Sequence, residues 1–159
     1  SNFNKDQILE VMGIAKIKPA VLQIELHPYL NQDEFITFVK SQKIAVTAYA
    51  PLGNPGLFDG SLLTHEKVVA IAKKYKKTAA QICIRFGVER GYTVIPKSVK
   101  EHRIKENFDV YDFSLTEDEM KTLLGVNKNM RLYPSSSVRD LFMSSKFFPF
   151  DDMKQTTKA

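Results

Sequence analysis

Several features that mark disulfide-bonded, metal-binding or membrane-spanning proteins are missing from this chain of 159 residues. Its single cysteine, Cys83, cannot form an internal disulfide and suits a reducing compartment, so we expect a cytoplasmic protein. The 3 histidines lie too far apart in sequence for the ligand spacing of a metal site. No apolar run approaches the roughly 18 residues of a membrane helix, and the opening SNFNKDQILE is not a basic-then-apolar secretion signal. We predict neither a metal site nor a membrane span.

The composition is that of an ordinary globular protein with a basic balance. Hydrophobic residues make up 43% and charged residues 26%, and the length suits one domain with a substantial core. The formal net charge of +5 favours anionic partners. It does not choose among phosphates, nucleotides and nucleic acid.

Helix and strand patterns alternate along the chain. Apolar residues at helical spacing predict helices through 68–75 and from about residue 101, besides four that open with capping-box spacing. Short apolar and β-branched runs predict strands at 20–26, 44–49 and 92–96. The predicted capping pairs are Asn4 with Gln7, Asn31 with Glu34, Thr78 with Gln81, and Thr116 with Glu119.

Strands separated by helices predict an α/β fold with a parallel sheet and crossover helices. Three strands are too few for an open doubly wound domain, and a closed (β/α)₈ barrel takes roughly 250 residues. The chain also begins on a polar turn, as though a strand preceded it. We therefore expect part of a larger fold over residues 1–126, followed by an irregular aromatic tail over residues 127–159.

Polar side chains fall near the carboxyl ends of the predicted strands, where parallel α/β folds bind ligands. The amides of Asn2 and Gln23 can donate and accept, which matches a carboxamide, and Tyr49 offers a flat face for a ring. Each residue also has a structural explanation. Asn2 suits a turn, Gln23 a polar position inside a barrel, and Tyr49 core packing.

The stretch YTVIPKSVKEHRIKEN at residues 92–107 places basic residues at a strand-to-helix junction. A phosphate there would meet helix N–H groups, the hydroxyl of Ser98, the point charge of Lys97 and the planar fork of Arg103. A solvated basic helix face is the simpler alternative, and a nucleic-acid surface is a third. We place nucleic acid last because the basic residues lack interleaved exposed aromatics.

Three further residues are assigned structural roles. Glu25 and His27 lie near a strand end without an obvious activating partner in the chain. Cys83 lies in the apolar segment AAQICIRF and is interpreted as a small buried residue rather than a nucleophile.

Taken together and in order, six segments resemble the aldo-keto reductases. They are SNFN, LQIELHPYL, VTAYAPLGNP, KYKKTAAQICIRF, VIPKSVKEHRIKEN and VYDFSLTEDEM, and they extend to about Leu124. The tail, with SKFFPFDD, resembles the variable C-terminal loop of that family. The resemblance implies a (β/α)₈ barrel and NADP-dependent reduction of aldehydes and ketones, with this chain as the C-terminal part of the barrel.

The resemblance also implies roles for the candidate residues, with NADP(H) as the cofactor and the aromatic tail shaping the substrate pocket. The implied cofactor-binding residues are Ser1, Asn2 and Gln23 for the nicotinamide carboxamide, Tyr49 for stacking on its ring, Leu52 and Asn54 for the pyrophosphate, Lys97, Ser98 and Arg103 for the adenosine 2′-phosphate, and Glu106 and Asn107 for the adenine.

Some positions depart from the family pattern. The family usually has serine where Ala50 stands, often serine at Asn54, and often threonine at Lys100. The first two changes alter the pyrophosphate loop, and the third adds positive charge near the 2′-phosphate. Because the chain has 0 tryptophans, its tail lacks the indole platform of some members.

The catalytic tyrosine of the family, with its aspartate, lysine and histidine, belongs to the N-terminal half of the barrel. Neither Tyr49 nor His27 matches those positions, so no catalytic residue is assigned. We expect the cofactor-binding half of an NADPH-dependent carbonyl reductase, inactive without an N-terminal half-barrel. The alternatives are an inactive NADP-binding or interaction module and a basic nucleic-acid-binding module.

Overall fold

The chain folds as an α/β structure, as the alternating pattern predicts. The computed structural model describes residues 1–55 and 61–133, so the predicted tail lies outside the described residues from position 134 onward. In chain order the elements are helix α1 (Lys5–Ile14), strand β1 (Val21–Glu25), helix α2 (Asp33–Ser41), strand β2 (Ala45–Tyr49), a 3₁₀ helix (Leu62–Thr64), helix α3 (Glu66–Tyr75), helix α4 (Ala79–Glu89), strand β3 (Thr93–Val94), helix α5 (Glu101–Phe108) and helix α6 (Glu117–Leu124).

The three strands form one parallel sheet in the order β1-β2-β3, which confirms the predicted parallel arrangement. Strand β3 is shorter than predicted, with 2 residues. The register pairs Glu25 with Tyr49, and Ile95 N donates to Ala48 O at 3.1 Å just beyond β3. The carboxyl ends of all three strands therefore meet at one edge of the sheet.

Reciprocal capping boxes begin three of the four helices that were predicted to have them, at Asn4, Thr78 and Thr116. The fourth prediction is wrong. Helix α2 begins after Gln32, which has a left-handed backbone (φ 48°) and makes no side-chain cap. Asn31 is buried, and its amide Nδ2 donates to Leu124 O at 2.8 Å. A contact distant in sequence thus uses the side chain that local spacing assigned to the helix start.

Among the residues that the structure describes, buried side chains form two hydrophobic clusters. One joins α3, α4 and α6 around Phe86, and the other joins α1 and α2 to strands β1 and β2 around Val39. Cys83 belongs to the first cluster, and burial raises its pKa to about 12. Because the thiol stays protonated at neutral pH, Cys83 packs as a small apolar residue, as predicted.

Glu119 connects helix α6 to helix α3. Its carboxylate accepts hydrogen bonds from Lys74 Nζ at 2.6 Å, Tyr75 Oη at 2.6 Å and Thr116 N at 2.8 Å. Desolvation opposes the charged form, but the hydrogen bonds from Lys74, Tyr75 and Thr116 outweigh it and lower the pKa of Glu119 to about 2. The ionised carboxylate therefore stabilises the packing of these helices.

Replacing Glu119 by glutamine is expected to make stability less dependent on pH. The native pKa lies below the unfolded value of about 4.3, so the stabilisation is present above that pH and is lost as pH falls towards 2. We expect E119Q to lower the free energy of unfolding by roughly 1–2 kcal/mol at pH 7. The difference in free energy of unfolding between wild type and E119Q should become smaller from about pH 5 downward.

Urea unfolding of wild type and E119Q at several pH values measures this difference in stability. The matched control is Glu101→Gln, because Glu101 pairs with Lys105 on the surface, where its side chain is 82% exposed. Glu101→Gln should therefore change the free energy of unfolding very little. If the stability difference between wild type and E119Q stayed constant down to pH 2, the ionised Glu119 carboxylate would not be the stabilising group.

Candidate functional site

A cleft of about 770 Å³ opens near the carboxyl ends of the strands. Its walls come from the loop after β2, the beginning of α4 and the stretch from the end of β3 through α5. The predicted residues that line it are Leu52, Asn54, Lys97, Ser98, Arg103, Glu106 and Asn107. The structure therefore brings the positions predicted for pyrophosphate, 2′-phosphate and adenine into one cleft.

Lys97 and Arg103 supply positive charge to one wall of this cleft. Within residues 1–55 and 61–133, neither forms a salt bridge, whereas Lys105 on the same helix pairs with Glu101 at 2.7 Å. Helix α5 begins after Lys100, whose side chain makes no cap hydrogen bond. The cations and the positive end of the helix dipole together suit an anion.

The hydroxyl of Ser98 shapes the turn that leads into α5. Ser98 Oγ accepts a hydrogen bond from Lys100 N at 3.2 Å and donates to Lys100 O at 3.4 Å. Ser98 also lines the cleft beside Lys97. Ser98 therefore shapes this wall of the cleft and also places a hydroxyl on it.

The wall predicted to contact adenine is held by the beginning of α4. Thr78 Oγ1 donates to Glu106 Oε1 at 2.5 Å, and Gln81 Nε2 donates to Asp109 O at 2.7 Å and Glu106 O at 3.2 Å. Thr78 and His102 also line the cleft, but neither was predicted as a site residue. For His102 the available signal is its spacing of four from Glu106, which places both on one helix face. The capping pattern at Thr78 gives no indication of a ligand.

The residues predicted for nicotinamide form a second group. Asn2 N donates to Gln23 O at 2.9 Å, so the opening turn lies against β1, with the exposed Ser1 next to it in the chain. Asn2 has a left-handed backbone (φ 59°). Its side-chain oxygen is buried and has no hydrogen-bond partner within the described part of the chain. An unpartnered buried oxygen can accept a hydrogen bond from a ligand amide.

Tyr49 lies between these two groups at the end of β2. Burial, followed by the nearby charge of Glu25, raises the pKa of its hydroxyl to about 12, although Arg131 and the Asn2 amide act in the opposite direction. The Tyr133 ring contacts the Tyr49 ring edge-on, with centroids 5.9 Å apart and planes at 73°. Tyr49 therefore stays protonated at neutral pH and presents a neutral ring.

Tyr133 also lines the cleft and was not predicted as a site residue. It falls at the start of the segment predicted as an irregular tail, where no periodic pattern indicates a position. The contact between Tyr133 and Tyr49 joins the cleft to the residues that were predicted for nicotinamide.

Glu25 and His27 are fully buried and bind protein groups, in keeping with the structural roles predicted for them. Glu25 Oε1 lies 3.0 Å from His27 Nε2 and accepts from Leu132 N at 2.6 Å, while Oε2 accepts from Tyr133 N at 3.1 Å. The carboxylate thus fastens the chain segment that carries Tyr133.

Neither a metal-binding cluster nor a membrane-crossing helix occurs in residues 1–55 and 61–133. These residues contain no group of three or more His, Cys, Asp or Glu side chains able to hold a metal ion. None of the helices in this part of the chain has the length and apolar character needed to cross a membrane.

Comparisons with known proteins point to one family. A family model described as the Aldo/keto reductase family matches residues 1–128. Aldo-keto reductase family 1 member A1 of Xenopus tropicalis is 48% identical over 136 residues, which cover 82% of this chain and 42% of the relative. Aldo-keto reductase family 1 member D1 of Oryctolagus cuniculus is 45% identical over 161 aligned positions, covering 96% of this chain and 48% of the relative.

Solved structures agree with the sequence matches. The aldose reductase of Schistosoma japonicum superposes with a TM-score of 0.83 at 39% identity, covering 95% of this chain and 46% of that one. An aldo-keto reductase of Bombyx mori in complex with NADP gives a TM-score of 0.82 at 33% identity, with 93% and 48% covered. The chain spans about half the length of these relatives. With a family match over most of its residues, the chain belongs to the aldo/keto reductase family.

Proposed function

We propose that this chain is the NADP(H)-binding C-terminal part of a (β/α)₈ aldo-keto reductase that reduces aldehydes or ketones to alcohols. The observation that carries the proposal is the pair of cations, Lys97 and Arg103, which line one wall of the cleft beside α5 without a salt bridge in the described residues. A 2′-phosphate at this wall would distinguish NADPH from NADH. The Bombyx mori relative, which was solved with NADP, supports this cofactor.

The residues present fit a dinucleotide along the edge of the sheet. The cleft volume of about 770 Å³ falls within the usual range for ligand pockets, roughly 300–1,000 Å³. The side-chain oxygen of Asn2, which has no partner among the described residues, would accept a hydrogen bond from the carboxamide, and Tyr49 would support the ring. The other proposed contacts follow the family pattern: Ser1 and Gln23 to the carboxamide, Leu52 and Asn54 to the pyrophosphate, Ser98 to the 2′-phosphate, and Glu106 and Asn107 to the adenine.

In the proposed complete enzyme, bound NADPH supplies the hydride that reduces the substrate carbonyl carbon. The residues of this chain bind and orient, and we assign it no catalytic residue. Tyr49 remains protonated near neutral pH because the pKa of its hydroxyl is about 12. The proton for the carbonyl oxygen would come from the N-terminal half of the barrel. We therefore propose that half as the required partner.

Two features support a partner half. Strands β1 and β3 are the outer strands of the described sheet, and apolar residues there are open to solvent: Val21 of β1 is 56% exposed and Ile95, directly after β3, is 42% exposed. Open apolar sheet edges favour pairing with further strands. We propose residues 1–126 as the barrel portion and 127–159 as the tail that shapes the substrate pocket.

An inactive NADP-binding module is the second candidate, because this chain supplies a cleft with two cations in its wall. Nucleic-acid binding stays last, because no Phe, Tyr or Trp lies between the basic residues Lys97 and Lys105. The nearest exposed aromatics are Phe108, the last residue of α5, at 78% and Tyr111, just beyond it, at 65%. Membership of the aldo/keto reductase family and the placement of Lys97 and Arg103 in a cleft favour a dinucleotide over a nucleic-acid strand.

Calorimetric titration of the purified chain tests the proposed function. We expect NADPH to bind more tightly than NADH, because only NADPH carries the 2′-phosphate, and unrelated duplex DNA not to compete. Equal binding of the two cofactors, or binding of neither, would overturn the 2′-phosphate site. We also expect no aldehyde-dependent NADPH oxidation by the chain alone. Measurable turnover would show that the proton donor lies within it.

A further inference from the structure

The last described segment, residues 127–133, is fastened to the loop between β1 and α2. Lys128 N and Met130 N both donate to Tyr29 O, at 3.1 and 3.0 Å. Lys128 Nζ also lies 4.0 Å from the centroid of the Tyr29 ring. The course of this segment is therefore set by the β1–α2 loop.

Glu25 holds the end of this segment through both carboxylate oxygens. They accept hydrogen bonds from the consecutive amides of Leu132 and Tyr133, at 2.6 and 3.1 Å, and the residue has 0% exposure. His27 Nε2 lies 3.0 Å from Oε1 and gives the carboxylate a third partner. Hydrogen bonds to two consecutive amides fix the direction of the backbone from which the Tyr133 side chain leaves.

Tyr133 lies where the cleft meets Tyr49. Its ring contacts Tyr49 at a centroid distance of 5.9 Å and lines the cleft together with Ala50 and Pro51, yet it remains 38% exposed. A ligand that fills the cleft and extends to Tyr49 must therefore pass beside the Tyr133 ring.

We infer that Glu25 is a positioning residue that holds the Tyr133 ring beside Tyr49 and thereby sets the affinity for the nicotinamide half of the cofactor. This inference rests on the proposed NADP(H) site. The inference divides the site into two parts that contribute to affinity independently. Glu25 and Tyr133 act on the nicotinamide half near Tyr49. Lys97 and Arg103 act on the 2′-phosphate.

Titrating Glu25→Gln with two ligands tests this separation. We expect the variant to bind NADPH about tenfold more weakly, because an amide offers one acceptor oxygen where the carboxylate offers two, so a backbone amide loses its partner. Adenosine 2′,5′-bisphosphate, which lacks the nicotinamide half, should bind wild type and variant equally. A variant that binds both ligands more weakly, or one that binds NADPH as well as or better than wild type, would overturn the inference.

Two further variants separate positioning from folding. Tyr133→Leu keeps the Glu25 carboxylate and removes the ring, so it should show the same selective loss for NADPH. Glu34→Gln makes the matched substitution at an exposed residue of α2 and should change neither affinity. If Tyr133→Leu binds NADPH like wild type, the ring does not set affinity and the inference fails.

Hydrogen exchange tests, without any ligand, whether the Glu25 carboxylate holds the backbone amides of Leu132 and Tyr133. The amides of Leu132 and Tyr133 should exchange at least about tenfold faster in Glu25→Gln than in wild type, with amides of α4 unchanged. Unchanged exchange at 132 and 133 would contradict the role of Glu25. Wild type that binds neither nucleotide would overturn the proposed function and the affinity role together, whereas a failure confined to Glu25→Gln would leave the proposed function standing.

Discussion

The double substitution Lys97→Met and Arg103→Met is expected to weaken NADPH binding by about 100-fold or more while leaving NADH binding within about twofold. Both side chains line the cleft without a salt bridge in the described residues, so their charges are available to a ligand. A hydrogen bond to a charged group contributes roughly 1.5–3 kcal/mol, and each factor of ten in affinity corresponds to about 1.4 kcal/mol. Loss of two such contacts gives an effect of this size.

Lys105→Met is the matched control for this prediction. It removes one charge from the same helix, but Lys105 is paired with Glu101 and does not line the cleft. We expect NADPH affinity within about threefold of wild type, since the Lys105 charge is exposed to solvent and paired with Glu101. Calorimetric titration of each variant with both cofactors provides the comparison. Equal losses of affinity for NADPH and NADH in the double variant would show that Lys97 and Arg103 do not bind the 2′-phosphate.

Phe86→Ala is expected to lower the free energy of unfolding by about 3–5 kcal/mol, the range found for removing a buried aromatic side chain. Phe86 has 0% exposure in the cluster that joins α3, α4 and α6, and the Arg90 guanidinium lies 5.1 Å from its ring centroid. The change therefore removes core packing and a cation–π contact together. Because the free energy of unfolding of a domain is roughly 5–15 kcal/mol, Phe86→Ala should lose a large part of it.

Urea unfolding measures this effect, and Phe108→Ala supplies the matched control. Phe108 is 78% exposed at the end of α5, so the same substitution there should change the free energy of unfolding by no more than about 0.5 kcal/mol. Similar losses for the two variants would mean that the cluster around Phe86 is not the main stabilising core.

Local sequence patterns predicted the elements that depend on neighbouring residues. The capping boxes at Asn4, Thr78 and Thr116 use side chains three positions apart, and each is present. The three parallel strands likewise follow from short apolar runs separated by helices. Basic residues after the third strand allowed a phosphate site, and the resemblance to the aldo-keto reductases selected it over a solvated helix face. The structure places Lys97 and Arg103 in one cleft.

Features set by contacts distant in sequence were not predicted. Asn31 bonds to Leu124, so it does not cap α2. Glu25 reaches Leu132 and Tyr133 more than a hundred positions away, and no spacing rule connects them. The position of Tyr133 in the cleft depends on those bonds. Such residues become visible only once the fold brings the ends of β1 and of the chain's last described segment together.

The two hydrophobic clusters have a consequence for cooperativity. Because each cluster of the described residues has its own helices, we expect the two to open separately on the hydrogen-exchange timescale. The cleft takes Ala50 and Pro51 from beyond β2 on one side and Ala79 and Ala80 from α4 on the other. A ligand in the cleft would therefore require both regions to be closed, and at about 100 times its dissociation constant it would add roughly 2.7 kcal/mol against opening of either. Occupancy of the cleft would then convert two local equilibria into a single cooperative unfolding transition.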